Sequence, residues 1–229
     1  MNSSPTVVRG YDRLAPWYDP LATVYSGGRI AACHRTIAEQ LTPGERALFV
    51  GAGNGRDAAA AARRGVIPTL LDLSPGMLAR ATRKVRESGI EPTIVARDVR
   101  EFHCARDPRD PSTPPPFDAV VASFFLNVFR TDELPDLIAH LATLVGSGGR
   151  IWIADFAPPR GGGLSRLGQR IYHDCPMRAF GALTGNAIHP IHDLRPEFER
   201  TGITLASTTT HRVFGVGPRW LEVLEGVVG

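Results

Sequence analysis

The sequence has 229 residues, 43% of them hydrophobic and 21% charged, which is the composition of an ordinary globular protein. The formal net charge is +3, but the basic residues are dispersed and all are arginine except Lys84, so the charge does not indicate a nucleic-acid partner. No apolar run reaches the roughly 18 residues that span a bilayer, and the first residues lack a secretory pattern. We therefore expect one cytoplasmic domain over residues 1–229.

From Arg46 onward, short apolar runs alternate with helical patterns, which is typical of βαβ units around a parallel sheet. The pattern predicts strands over residues 47–50, 67–72, 93–96, 117–123 and 150–155. It predicts helices over residues 56–64, 75–88 and 132–145, the second of them opened by Ser74 as N-cap. Residues 203–214 and 220–227 are predicted to form an antiparallel C-terminal hairpin. The fold class expected from this order is a doubly wound α/β sheet with helices on both faces.

Two segments between these elements differ from the alternating pattern, one because it is rich in proline and the other because it is an apolar helical stretch. Residues 106–116 contain five prolines and are predicted to form an exposed loop. Residues 164–184 have a helical pattern and carry Tyr172, Met177 and Phe180. These apolar residues can close as a lid over a hydrophobic ligand, or they can simply complete the core beneath it.

The first predicted strand ends in Gly51-Ala52-Gly53-Asn54-Gly55 and leads directly into a helix. Glycine permits both a sharp turn and the close approach of the backbone to a ligand. The spacing is G-x-G-x-G, whereas a dinucleotide fingerprint would need glycine where Arg56 stands, which disfavours a nicotinamide or flavin cofactor. A tight strand-to-helix turn needs glycine even without a ligand, so the loop alone does not establish a binding site.

Two acidic residues strengthen the case for a nucleoside ligand. Asp72 ends the second predicted strand, about twenty residues beyond the glycine loop, where a carboxylate can accept both hydroxyls of a ribose. Asp98 follows the third strand, where it can accept a hydrogen bond from an adenine amino group. The alternatives are a solvated strand-end carboxylate for Asp72 and a cap on the following turn for Asp98.

With the glycine loop, Asp72 and Asp98 at these positions, the sequence resembles the class I S-adenosylmethionine (SAM) dependent methyltransferases. Within that class it resembles the ubiquinone and menaquinone C-methyltransferases. Besides the glycine loop, the resemblance is carried by the phrase from Tyr11 to Asp19, by Ser123-Phe124-Phe125-Leu126-Asn127-Val128, by Val145 to Ile151 and by Ala154-Asp155-Phe156. The similarity covers most of residues 10–156. It implies a Rossmann-like, seven-stranded, mostly parallel sheet with an antiparallel C-terminal hairpin, a helical cover over residues 1–40 and a substrate lid over residues 157–195.

The resemblance also implies SAM as cofactor and S-adenosylhomocysteine (SAH) as its product. The residues it assigns to cofactor binding are Tyr11, Tyr18, Gly51, Ala52, Gly53, Gly55, Asp72, Leu73, Met77, Asp98, Val99 and Ser123. One departure is Phe49, which stands two positions before the first glycine, where the family usually has an acidic residue. A carboxylate is therefore missing near the methionine end of SAM. Either another group holds the ammonium of SAM or the affinity for SAM is reduced.

Methyl transfer from a sulfonium needs the acceptor atom in line with the bond between sulfur and methyl, so alignment is the main task of the protein. An acceptor hydroxyl would also need a base, and His173 beside Asp174 is the candidate pair. Asn127 is expected either to face the acceptor or to cap the fourth strand. For the histidine pair, the alternative is a structural hydrogen-bonding role.

The distribution of cysteine and histidine predicts no metal site. Cys33, Cys104 and Cys175 lack C-x-x-C spacing and are expected to be reduced thiols, although capture of arsenic by several thiols is an alternative. His189 and His192 are separated by Pro190, which prevents the helix that a two-histidine site would use.

We therefore predict methyl transfer to a small, hydrophobic acceptor, a quinone, phenol or lipid-like molecule, at carbon or oxygen, with no nucleic-acid partner. If the acceptor is lipid-like, the lid can touch a membrane surface without inserting deeply. Two alternatives stay open, namely an RNA or protein methyltransferase of the same fold and a SAM-binding protein that transfers no methyl group. The sequence gives no indication of an oligomeric state.

Overall fold

The architecture is given by a computed structural model that describes residues 23, 26–105, 113–159, 162–163, 167–169, 171, 191–212 and 219–229. The strands are β1 (Arg46–Val50), β2 (Ile67–Asp72), β3 (Thr93–Ala96), β4 (Phe117–Ser123), β5 (Val145–Phe156), β6 (Ile203–Arg212) and β7 (Arg219–Val228). The α-helices are α1 (Arg29–Gln40), α2 (Arg56–Ala62), α3 (Pro75–Arg86), α4 (Leu134–Thr143) and α5 (Arg195–Arg200). In these described parts, no helix has the length and apolar character needed to cross a bilayer.

All seven strands form one mixed sheet in the order β3-β2-β1-β4-β5-β7-β6. Strands β1 to β5 pair in parallel, whereas β7 is antiparallel to both β5 and β6. The predicted fold class is confirmed, including the antiparallel C-terminal hairpin. The strand order reverses direction between β1 and β4, and open α/β sheets bind ligands outside the carboxyl ends of their strands at such a point.

Each face of the sheet buries its own hydrophobic cluster. Helices α1, α2 and α3 cover one face, where the buried side chains include Ile37, Phe49 and Trp152. Helices α4 and α5 cover the other face. Cys33 belongs to the first cluster and Cys104 packs against the second, so these two thiols cannot form a shared site. Burial raises the pKa of Cys33 to about 12 and that of Cys104 to about 11, so both remain protonated at neutral pH.

The local sequence explains how α3 begins. Ser74 is its N-cap and accepts a hydrogen bond from the N–H of Met77 at 3.1 Å, and Pro75 occupies the first helical position, where no N–H is needed. These contacts place the start of α3 directly behind the carboxyl end of β2.

The structure differs from the prediction around β5. That strand begins at Val145 rather than at residue 150, and α4 ends at Thr143 rather than at residue 145. Pairing with β4 passes from Phe117↔Val145 to Ala119↔Arg150, so Asp118 alone faces the whole stretch 146–149. Glycine is required at Gly149, because a Cβ there would stand 2.8 Å from the carbonyl oxygen of Asp118.

Three other segments bear on the predictions. Helix α5 was not among the predicted elements. Of the predicted helix over residues 164–184, the structure describes 167–169 and 171, which are helical. In the proline-rich loop, residues 113–116 form neither helix nor strand, and the guanidinium of Arg46 donates hydrogen bonds to the carbonyl oxygens of Pro115 and Pro116, both at 3.2 Å.

Candidate functional site

The glycine loop turns at the carboxyl end of β1 through three left-handed residues. Gly51, Gly53 and Gly55 have φ values of 60°, 51° and 72°. The N–H of Gly55 donates to the carbonyl oxygen of Ala52 at 2.8 Å, and the N–H of Ala52 donates to Leu71 of the neighbouring strand at 3.0 Å. The loop is thus held on both sides, and α2 begins immediately after it.

Packing requires glycine at positions 51 and 55, but it leaves open space beside Gly53. A Cβ on Gly55 would stand 2.6 Å from the Cα of Ala81 in α3, and one on Gly51 would collide with the ring of Phe125. At Gly53 the nearest atom to a Cβ would be the carbonyl oxygen of Gly51, at an ordinary 3.7 Å. Gly53 therefore gives a ligand close access to the backbone of the loop.

Asp72 is held by the backbone on both of its carboxylate oxygens. The N–H of Gly53 donates to Oδ2 and the N–H of Ser74 donates to Oδ1, each at 2.8 Å. An ionised carboxylate oxygen has a second lone pair, so this oriented group can also accept ribose hydroxyls. The next residue, Leu73, is 42% exposed although it is apolar, whereas Met77 is buried. Together they offer the polar and apolar surfaces that an adenosine requires.

Asp98 makes the capping interaction that the sequence left open as an alternative. Its Oδ1 accepts the N–H of Arg100 at 3.0 Å, and the Arg100 guanidinium forms a bidentate pair with both oxygens. The side-chain hydrogen bond from Arg100 holds the pKa of Asp98 below its ordinary value. Val99 is buried in the adjoining turn. Contact of Asp98 and Val99 with adenine remains a prediction.

The end of β4 carries a strained residue. Phe124, immediately after Ser123, has φ 53° and is the only residue other than glycine with a positive φ in the described part of the chain. Its N–H donates to the carbonyl oxygen of Ala154 at 2.7 Å, and its ring packs edge-on against His34 and Phe156. Such conformations cost on the order of 1–3 kcal/mol and persist only where surrounding contacts impose them.

Beside this residue lies a polar group that the sequence reasoning missed. Asp57, in the first turn of α2, is only 6% exposed, and His34 Nδ1 of α1 stands 3.6 Å from its Oδ2. Burial raises the pKa of Asp57, but the neighbouring imidazole of His34, the hydroxyl of Ser123 and the N–H of Ala58 outweigh burial, so the pKa lies below its ordinary value. A buried, ionised carboxylate therefore adjoins the glycine loop. Its sequence signal was an acidic residue two positions after the last glycine, Gly55.

A second missed residue lies on the other side of β4. Asp155, near the end of β5, is 8% exposed, and its Oδ1 accepts hydrogen bonds from Asn127 Nδ2 at 3.1 Å and from the N–H of Phe156 at 2.8 Å. Glu222 faces it across the β5–β7 ladder and is ion-paired with Arg195 at 2.6 Å. Burial, aided by the charge of Glu222, raises the pKa of Asp155 to about 6. In the sequence analysis, Asp155 was noted only as part of the segment Ala154-Asp155-Phe156, which resembles a motif of the family.

Several predicted site residues cannot be compared with the structure. Tyr11, Tyr18, His173, Asp174 and His189 lie outside the described residues, as does most of the predicted lid. Their assigned roles therefore stay predictions. Of the predicted catalytic set, Asn127 is described, and its amide is directed at Asp155 rather than serving only as a strand cap.

Comparison with known proteins agrees with this geometry. Residues 47–149 match the family described as methyltransferase domain. A phosphatidylethanolamine N-methyltransferase of Cereibacter sphaeroides is 34% identical over 160 residues, which cover 68% of this chain and 70% of that protein. A demethylmenaquinone methyltransferase of Renibacterium salmoninarum is 28% identical over 179 residues, covering 77% of this chain and 68% of the relative.

A solved structure shares the fold. The magnesium protoporphyrin IX methyltransferase of Synechocystis PCC 6803 with bound SAH superposes with a TM-score of 0.58 at 19% identity, covering 100% of this chain and 88% of that one. The loop above β1, the oriented carboxylate of Asp72 and the exposed Leu73 fit an adenosine-containing cofactor, and that cofactor is SAM. The chain belongs to the class I SAM-dependent methyltransferases.

Proposed function

We propose that the protein methylates a small, hydrophobic acceptor, a quinone, phenol or lipid-like molecule, at carbon or oxygen. The observation that carries this proposal is Asp155, a buried carboxylate with a raised pKa near the carboxyl end of β5, directly before Phe156, which belongs to a cluster of aromatic rings. The names of two relatives, one acting on a demethylmenaquinone and one on phosphatidylethanolamine, support an apolar acceptor.

The aromatic cluster supplies the apolar surface. The ring of Phe156 lies 5.9 Å from that of Phe124 and 5.4 Å from that of Trp220, measured between centroids. Phe156 and Trp220 are buried, whereas Phe124 is partly exposed. An aromatic acceptor can therefore stack on the outer ring of a rigid, already packed set.

When bound, SAM would supply a methyl group on a sulfonium sulfur; the methyl would pass to the acceptor atom, and the electron pair of the broken bond would remain on sulfur. Asp155 then has a defined task. Its Oδ1 accepts hydrogen bonds from the Asn127 side chain and from the N–H of Phe156, and the backbone of Asn127 gives the carboxylate a further hydrogen bond. The group is thus held in one orientation, from which it takes the proton of an acceptor hydroxyl. With its pKa at about 6, the carboxylate is ionised at neutral pH and still basic enough to receive a proton.

The predicted pair His173 and Asp174 is a second candidate for the same task. Two variants distinguish the assignments. Asp155→Asn keeps the shape of the side chain and removes the carboxylate base, whereas His173→Gln removes the imidazole base. Loss of turnover in the first variant with retention in the second would favour Asp155. The reverse result would favour the histidine.

The test is SAH production from SAM with a set of acceptors: naphthoquinols, substituted phenols, phosphatidylethanolamine vesicles, total RNA and a protein extract. The expected result is SAH formation with a quinol or phenol, with the methyl group located on carbon or oxygen by mass spectrometry. Asp72→Asn serves as the control that should be inactive with every acceptor. Turnover only with RNA or protein would overturn the proposal, and methylation of the phosphatidylethanolamine nitrogen would overturn the choice of atom.

A further inference from the structure

The strand order determines where the methionine end of SAM must lie. Asp72 and Leu73, the predicted adenosine site, lie at the end of β2, and β2 and β4 flank β1 on opposite sides. The rest of the cofactor therefore extends from β2 across the glycine loop toward the end of β4. The polar groups that meet there are those of Asp57, His34 and Ser123, which come from three different elements.

These polar groups lie close enough to lower the pKa of Asp57, but they do not form hydrogen bonds of good geometry with it. Asp57 Oδ1 accepts a hydrogen bond at 2.8 Å from the N–H of the next residue, but His34 Nδ1 stands at 3.6 Å from Oδ2, beyond hydrogen-bonding distance. His34 Nδ1 and Ser123 Oγ are both buried, and neither has a hydrogen-bond partner among the described residues. Buried polar atoms are nearly always paired, so unpaired atoms around a buried carboxylate point to a missing partner.

The same region lacks the carboxylate that the family usually has in β1. Phe49 is 1% exposed and packs in the cluster that contains Ala58 and Ala61 of α2. Asp57 precedes these alanines on the same helix. The negative charge that is absent from β1 is thus present on the helix that covers Phe49.

We propose that Asp57, assisted by the hydroxyl of Ser123, binds the ammonium group of SAM and so replaces the carboxylate missing at Phe49. A carboxylate in a largely dry site forms a strong hydrogen bond with an ammonium, and the cationic partner offsets the cost of burying the charge. This inference concerns the cofactor and does not depend on the identity of the acceptor.

The test is a double-mutant-type cycle that compares two proteins, each with two ligands. Calorimetry measures the binding of SAH and of an analogue of SAH that lacks the α-amino group, to the wild type and to Asp57→Asn. SAH is preferred to SAM because it has the ammonium and no sulfonium charge. The expected result is that Asp57→Asn weakens SAH binding roughly 10- to 100-fold, as expected for a charge-assisted hydrogen bond, and leaves binding of the analogue unchanged.

Two control variants locate the effect. Asp72→Asn should weaken both ligands equally, because it acts at the ribose. Asp136→Asn, an exposed carboxylate in α4 on the opposite face of the sheet, should change neither. Equal weakening of both ligands by Asp57→Asn, or no weakening of either, would overturn the proposal.

A second variant keeps the inference testable if Asp57→Asn does not fold, as judged by thermal unfolding. Ser123→Ala leaves the buried charge in place and removes the hydroxyl beside it. We expect a several-fold loss of SAH binding without loss of binding to the analogue. An equal effect on both ligands, or none, would overturn the proposal and assign the unpaired polar atoms to the packing of α1 and α2 against β4.

Discussion

The side-chain amide of Asn127 donates a hydrogen bond to Asp155 Oδ1 across 3.1 Å and so joins the segment after β4 to the end of β5. The second donor to the same oxygen is the N–H of Phe156. A buried carboxyl held in this way has its orientation fixed by the fold. This arrangement suits the proposed role of Asp155 as a base, and burial of the carboxyl gives it a measurable penalty in stability.

Asp155→Asn should stabilise the protein near neutral pH. In the unfolded chain an aspartate ionises near pH 4, whereas folded Asp155 ionises at about pH 6. The folded protein therefore holds the proton longer, and its free energy of unfolding decreases as the pH rises through this window. Above it the penalty is constant, at most about 3 kcal/mol.

Urea unfolding at two pH values measures this effect. The variant should be more stable than the wild type at pH 7.5, and the difference should nearly vanish near pH 4. Asp136→Asn, an exposed carboxylate, is the matched control and should show no such dependence. A variant less stable than the wild type at pH 7.5 would contradict the raised pKa.

Glu222→Gln should move the acid limb of the pH–rate profile to lower pH. Part of the raised pKa of Asp155 comes from the negative charge of Glu222, which faces it across the strand pair. Removing that charge makes ionisation of Asp155 easier. The measurement is kcat/KM for the acceptor from pH 5 to 8. The control is Glu225→Gln on the same strand, and an acid limb that does not move in Glu222→Gln would count against Asp155 as the base.

Asp72→Asn should weaken SAH binding at least tenfold, since the change removes the charge of a carboxylate that the N–H groups of Gly53 and Ser74 orient and that is predicted to bind the ribose. Asp98→Asn provides the comparison. If Asp98 contacts adenine, its variant also loses affinity for SAH. If Asp98 acts only as cap and partner of Arg100, the variant lowers the melting temperature and leaves the calorimetric affinity unchanged.

Gly55→Ala should destabilise the fold more than Gly53→Ala. Both residues have positive φ, so both variants pay about 1 kcal/mol for the left-handed backbone. Only at Gly55 does the added Cβ meet a helix backbone, 2.6 Å from the Cα of Ala81. The difference between the two variants in chemical denaturation isolates this clash, and equal losses would show that α3 moves aside without cost.

The sequence predicted the parallel strands well because their signals are local. β2, β3 and β4 have the predicted bounds, and the glycine loop and Asp72 lie at adjacent strand ends as expected. The early start of β5 depends on pairing with β4, which no local pattern encodes. Asp57 and Asp155 were missed for a related reason. Their surroundings come from residues distant in sequence, His34 in one case and Glu222 in the other.

The place of β7 has a consequence for the order in which the two halves of the site can form during synthesis. β7 follows β6 in the chain but lies between β5 and β6 in the sheet. Because the chain emerges from the ribosome N-terminus first, the glycine loop and Asp72 are synthesised while Glu222 is still to be translated. A nascent chain that has not reached Arg219 therefore lacks the strand that pairs with β5 beside Asp155, and Asp155 acquires its full burial and raised pKa only after β7 has joined the sheet.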